Sequence, residues 1–234
     1  MIDLYSWLTP NGEKVHIMLE ECGLDYRAHP ININTGDQFK RSFQKISANG
    51  RIPAIVDQQG PGGKPYALFE SGAILMYLAE KSGKFWPKRT RARYDVMEWL
   101  MFQMANVGPM MGQAYHFRKY APKKIPYAAN RYSKEVNRLY GVMDKQLKSS
   151  RYLGGDAYSI ADMANWPWVQ IPKGAGVKID DYPRVKRWLA EIKARPAVKR
   201  GMAVLNEHRH LEEGGEMSKE TREILYGKAQ FKQR

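Results

Sequence analysis

Apolar residues in the first third of the chain fall into short runs whose period switches between that of a strand and that of a helix. Ile2 to Ser6 reads as a strand. A helix follows from Asn11-Gly12, because Val15, Met18, Leu19 and Cys22 recur at i, i+3, i+4 and i+7 and share one face. Gly23 stands where a helix ends in the left-handed conformation. Tyr26 to Ile33 reads as a second strand, and Gly36 to Ile46 as a loop holding a short helix. Pro53 to Asp57 and Tyr66 to Phe69 are two further strands, parted by the turn-rich Gln59-Gly60-Pro61-Gly62-Gly63. So short a connection predicts an antiparallel hairpin. A closing helix over Ser71 to Lys81 stops at Gly83. Strands alternating with helices predict an α/β unit.

After Lys84-Phe85-Trp86-Pro87-Lys88 the strand signals nearly vanish. Tyr94 to Phe117 and Asn130 to Leu147 carry long helical patterns. Ser159 with Asp162 three residues on forms a capping box, and Tyr158 can staple onto Met163. Val185, Trp188, Leu189 and Ile192 repeat the helical spacing, and Pro196 marks the next break. The organisation expected is an α/β domain over residues 1–83, a linker at 84–90, an all-helical domain over 91–207 and a charged extension at 208–234. The extension holds 6 Lys and Arg against 5 Asp and Glu, and reads as a partly helical segment lying over the domain surface.

Charge changes the picture only once it is located. The chain of 234 residues carries a net charge of +14. Residues 1–83 hold 8 basic against 9 acidic side chains, and the remainder holds 30 against 15. That asymmetry raises nucleic acid as a partner. The basic residues are dispersed along helices, however, without zinc-finger spacing, an aromatic RNP-like run or a long basic arm. A solvated basic face is the plain reading, and steering of small anions the alternative. No apolar run approaches the roughly 20 residues of a membrane span. The first residues lack the basic region and apolar core of a signal peptide, so a cytoplasmic protein is expected. With one cysteine there is no disulfide framework or thiolate cluster. His208 and His210 are too isolated from carboxylates to predict a metal site.

Two places carry candidate chemistry. Pro53 opens a strand-like run, where a proline gives no ladder hydrogen bond and is a candidate cis peptide. It exposes the backbone of Ile52 to whatever docks beside it. Glu70-Ser71 opens a helix, whose N-terminus suits a carboxylate. Together they read as a site for an acidic, peptide-shaped ligand. Second, the strand–loop–helix junction Thr9-Pro10-Asn11 lies where a helix dipole stabilises a thiolate, yet no Cys-x-x-Cys stands there. Cys22 falls on the apolar helix face and reads as a small buried hydrophobe. If thiol chemistry occurs at this loop, the thiol arrives with the ligand, and the Thr9 hydroxyl and Asn11 amide are placed to hydrogen-bond it. A plain helix cap is the other reading of the same residues.

The order strand, Thr-Pro-Asn loop, helix, Ile52-Pro53, Phe69-Glu70-Ser71, linker and helical domain with a Ser-x-x-Asp capping box resembles the glutathione transferases over about residues 1–207. Tyr5-Ser6 through Asn11, Gln38-Phe39, Ala67 to Leu75 and Ile125-Pro126-Tyr127-Ala128 look like the bacterial nu class, which is similar to the transferase domain of the yeast prion-forming nitrogen regulator. The resemblance implies a thioredoxin-like N-terminal domain with a mixed four-stranded sheet, an all-helical C-terminal domain, and a homodimer. It implies glutathione as co-substrate and no metal. Ile52, before a cis Pro53, would pair its backbone with the cysteinyl unit; Ser71 and its helix would hold the γ-glutamyl carboxylate and Glu70 the ammonium. Gln38 and Asn49 would reach the ends of the tripeptide. Thr9 and Asn11 would be catalytic, hydrogen-bonding the sulfur. Arg131 would meet a second glutathione, and Tyr115, His116, Phe117 and Trp168 would line a co-substrate pocket. The activity implied is disulfide reduction by bound glutathione. Conjugation of electrophiles, peroxide reduction and a non-catalytic regulatory role are the alternatives.

Overall fold

The computed structural model describes residues 1–211 and 217–231. They form two compact units, one built from Met1–Ile74 with the chain from Arg200 onward, the other from Leu75–Lys199. The divisions between these units fall inside two helices.

In the first unit β1 (Ile2–Ser6) leads through a short loop into α1 (Pro10–Cys22), then β2 (Tyr26–Pro30), α2 (Arg41–Gln44), β3 (Ala54–Asp57), β4 (Tyr66–Phe69) and α3 (Ser71–Ser82), which runs on into the second unit. The sheet has the order β2-β1-β3-β4. β1 and β2 are parallel with Ile2 opposite Tyr26; β1 and β3 are antiparallel, as are β3 and β4, with Ala54 opposite Tyr5 and Phe69. This is the mixed sheet and the hairpin expected. Ile2, Leu4 and Ser6 of β1 are buried at alternate positions, and Val15, Met18, Leu19 and Ile55 close the core around them. Gly23 ends α1 at φ 66°, as its position predicts.

β2 stops at Pro30, short of the expected Ile33, because its partner β1 ends at Ser6. Ile31 still donates to the Ser6 carbonyl at 2.9 Å. Asn32 then turns the chain, its side-chain oxygen accepting from the Asn34 amide at 3.0 Å while Asp37 accepts from the Asn32 amide.

In the second unit, the long helical stretch expected over Tyr94 to Phe117 is present: α4 (Thr90–Phe102) runs through a π turn over Gln103–Val107 into α5 (Gly108–Tyr115), and a second π turn over His116–Tyr120 follows. Pro109 has no amide to continue the α-helical ladder, and the wider turn before it absorbs the lost bond. α6 (Pro126–Gln146) starts earlier than the expected Asn130, with proline in its favoured first-turn position. α7 (Ile160–Val169), α8 (Pro172–Ala175), α9 (Pro183–Lys193) and α10 (Pro196–Ala203) complete the helical series, the last crossing back into the first unit. Asp162, fully buried, accepts from the Ser159 and Leu153 amides at 3.0 Å each and from Trp188 Nε1 at 2.9 Å, tying α7 to α9. Burial nevertheless pushes its carboxyl up to about 6.

The C-terminal segment packs on the first unit. Arg200 donates to Glu20 at 2.6 Å, the His208 and Trp7 rings stack at 5.6 Å, and Arg51 donates to Gln230 at 2.5 Å. α11 (Lys219–Tyr226) gives it the helical content expected. Residues 212–216 and 232–234 of that expectation lie outside the described residues.

Candidate active site

Thr9 caps α1. Its backbone is extended, its carbonyl accepts from the Glu13 amide at 2.9 Å, and its Oγ1 accepts from the Gly12 amide at 3.2 Å. Asn11 stands in the first turn, half-buried beside it. Gly12 is required here, since a Cβ would lie 2.3 Å from the Trp7 carbonyl oxygen and 2.5 Å from Ser6 Oγ. Cys22, at the far end of α1, is buried against Met18. The loop therefore places a hydroxyl-bearing and an amide-bearing residue at a helix N-terminus, with no protein thiol there.

The Ile52–Pro53 peptide is cis. Among the described residues, no hydrogen bond uses the backbone N–H or C=O of Ile52. Beside it, Phe39, Gln44, Ala48, Asn49, Gly50, Arg51 and Gln230 line a cavity of about 410 Å³. Asn49 is exposed there. Gln38 is buried: its Nε2 donates to the Ile33 carbonyl at 3.1 Å, and its Oε1 has no partner among the described residues. It stands behind the loop, with its backbone carbonyl close to Gly50.

Glu70 ends the strand side of the third feature at φ 73°, a left-handed conformation that a residue with a Cβ rarely adopts. Its carbonyl accepts from Ile74 at 2.9 Å, which starts α3 and sets Ser71 in the first turn. Glu70 is exposed and Ser71 is 5% exposed. The hydroxyl of Ser71 accepts from Lys14 Nζ at 3.2 Å. Lys14 is 1% exposed, and burial pushes its ammonium down to about 7 against the pull of the Glu70 carboxylate. No local signal marks Lys14 as functional, although its spacing to Met18 and Cys22 places it on the buried face. His16 carries no such signal either. It is fully buried, 2.8 Å from Ser6 Oγ, and burial pushes it down to about 4.

The other predicted residues belong to the second unit. Tyr115 donates to the Ile171 carbonyl at 2.6 Å, and burial pushes its phenol up to about 12. Its ring lies on Gly174, where a Cβ would approach within 2.2 Å. Phe117 stacks on Tyr132 at 5.5 Å, His116 meets Phe117 edge-on at 5.0 Å, and Trp168 covers Gly108 and Gly112 of α5. Arg131 is exposed, 3.9 Å from a Glu135 carboxylate that Arg138 holds at 2.7 Å. The cavity between α7 and α9, about 250 Å³, is lined by none of these. No cluster able to hold a metal ion occurs among the described residues, and no helix there is long and apolar enough to cross a membrane.

Family models for the N-terminal and C-terminal domains of glutathione S-transferase match residues 9–81 and 107–196. The chain belongs to the glutathione S-transferase family. Among its relatives, the disulfide-bond oxidoreductase YfcG of Escherichia coli (strain K12) is 50% identical over 206 residues, 88% of this chain and 95% of YfcG. A glutathione transferase family member from Pseudomonas fluorescens, solved with two glutathione bound, superposes with a TM-score of 0.82 at 48% identity, covering 86% of this chain and 92% of that one. A glutathione transferase from Pseudomonas putida, solved with one glutathione disulfide per subunit, gives 0.83 at 46% identity over 87% of this chain and 91% of the other. The family match begins at Thr9, the cap of the candidate site, and takes in Ile52, Pro53, Glu70 and Ser71. The extension beyond residue 207 lies outside both family models.

Proposed function

We propose that this family member is a glutathione-dependent disulfide-bond reductase in which the thiolate of bound glutathione is the nucleophile. The observation that carries the reading is the Thr9–Asn11 loop, a hydroxyl and an amide at a helix N-terminus, in a chain whose one cysteine is buried elsewhere. Thr9 and Asn11 hydrogen-bond the sulfur and favour its ionised form. The backbone of Ile52 pairs with the cysteinyl unit as an added strand pairs with an edge. Ser71 and the α3 N-terminus take the γ-glutamyl carboxylate, and Glu70 takes the ammonium. Asn49 meets one end of the tripeptide, and Gln38 acts from behind the loop. Arg131 meets a second glutathione, with Tyr115, His116, Phe117 and Trp168 beside the co-substrate. The working form is a homodimer in the cytoplasm.

The chemistry is two thiol–disulfide exchanges. Bound glutathione thiolate attacks one sulfur of a disulfide, forms a mixed disulfide and expels one thiolate. A second glutathione attacks the glutathione sulfur of that mixed disulfide, releasing glutathione disulfide and the other thiolate. Two glutathiones are oxidised as one disulfide is reduced, and the two protons they bring leave on the product thiols. Turnover with a small disulfide, an aryl halide and a hydroperoxide, compared at equal glutathione, tests the reading. The disulfide is expected to turn over fastest; a faster aryl halide or hydroperoxide would replace reduction by conjugation or peroxidase chemistry, and no turnover with any would leave a binding role.

A further inference from the structure

Lys14 is a charged side chain that the fold buries almost completely, and nothing in the thiol chemistry above uses it. It sits on α1, where Val15, Ile17 and Met18 are buried as well, at a position that a methionine of similar length would fill without a buried charge. Its ammonium donates to the hydroxyl of Ser71 at 3.2 Å, and the carboxylate of Glu70, the residue before Ser71, pulls on its charge. The positive end of α3 meets the same hydroxyl. Two positive features therefore converge behind one hydroxyl, in a place where water does not screen them. An anion on the outer side of Ser71 would relieve both.

We propose that Lys14 is a positioning residue of the carboxylate subsite: it fixes the Ser71 hydroxyl and supplies the buried positive charge that a ligand carboxylate docked on Ser71 neutralises. The identity of that carboxylate, the γ-glutamyl group of glutathione, rests on the function proposed above. A carboxylate hydrogen-bonded to Ser71 lies roughly 5 Å from the ammonium, near enough for a strong attraction at low effective dielectric. The burial that pushes Lys14 down to about 7 is the cost of holding this charge ready in the unliganded protein.

The test uses the full chain and two ligands. S-methylglutathione reports binding without thiol chemistry. Its analogue with γ-aminobutyryl in place of γ-glutamyl is the same molecule without the carboxylate in question. Affinities are measured by titration calorimetry for wild type, Lys14→Met and Lys14→Gln, the last keeping a hydrogen-bond donor without the charge. Both variants should melt no lower than wild type, yet bind S-methylglutathione roughly tenfold or more weakly. All three proteins should bind the analogue alike. A purely structural lysine would instead lower the melting temperature and leave ligand discrimination untouched. Equal loss for both ligands, or no loss for either, overturns the assignment, as does a failure of both variants to fold. Wild type that does not bind S-methylglutathione overturns the glutathione reading itself, and this assignment with it.

Discussion

Replacing Thr9 by valine keeps the branched shape and removes only the hydroxyl. In the structure Thr9 Oγ1 accepts from the Gly12 amide at 3.2 Å, and among the described residues no hydrogen bond uses its proton. The hydroxyl thus has two jobs that separate on measurement. Loss of the cap costs about 1 kcal/mol of fold stability, or about 2–4 °C in melting temperature for a chain of this size. Loss of a donor to a charged sulfur costs about 1.5–3 kcal/mol, and at 1.36 kcal/mol per unit this raises the pKa of bound glutathione by about one to two units. The assay is a pH titration of thiolate ultraviolet absorbance with the protein saturated by glutathione. Wild type should titrate below the ordinary thiol value near 8.5, and Thr9→Val should move the curve up. An unshifted curve in a variant that still binds S-methylglutathione would refute the role given to Thr9, leaving it a helix cap alone.

Asn11→Ala should cut turnover far more than it weakens glutathione binding, which steady-state kinetics and calorimetry together resolve. Gly12→Ala drives a Cβ into the Trp7 carbonyl at 2.3 Å; the loop carrying Thr9 and Asn11 must shift, costing about 1–3 kcal/mol by denaturant titration and most of the turnover. Asp162→Ala leaves the Leu153 and Ser159 amides and Trp188 Nε1 without their buried acceptor, so stability should fall by about 3–5 kcal/mol. Lys14 gives a pH dependence with a defined sign. Its folded pKa, about 7, lies below the unfolded 10.5, so between these values the unfolded chain binds the extra proton and stability rises with pH. Unliganded wild type should therefore gain stability relative to Lys14→Met from pH 7 towards 10, by up to about 1.4 kcal/mol per unit; parallel profiles would refute the shift.

Much of this molecule is legible in its sequence because local rules and tertiary structure agree. The alternation in β1, the Val15–Cys22 face, Gly23 as a terminator and the β3–β4 hairpin all stand as read. Departures occur where a local pattern cannot see its partner. β2 ends early because β1 does. The Tyr94 to Phe117 stretch is helical as read, but its widening to a π turn before Pro109 is invisible there, because apolar periodicity carries no record of a missing amide. The candidate site divides in the same way. Thr9, Ile52-Pro53 and Glu70-Ser71 are marked by capping and proline chemistry, which is local. Lys14 is not, since its meaning depends on a hydroxyl 57 positions away. Arg51 and Gln230 likewise meet at the cavity only through the packing of the C-terminal segment.

The central claim is that glutathione, and no thiol of the protein, carries the reaction. Cys22 is the sole cysteine of the chain and is buried at the end of α1, so Cys22→Ser yields a thiol-free protein. Its turnover of bis(hydroxyethyl) disulfide with glutathione, followed through formation of glutathione disulfide, is the direct measurement. The account predicts turnover essentially equal to wild type. A folded Cys22→Ser protein that no longer reduces the disulfide would contradict it.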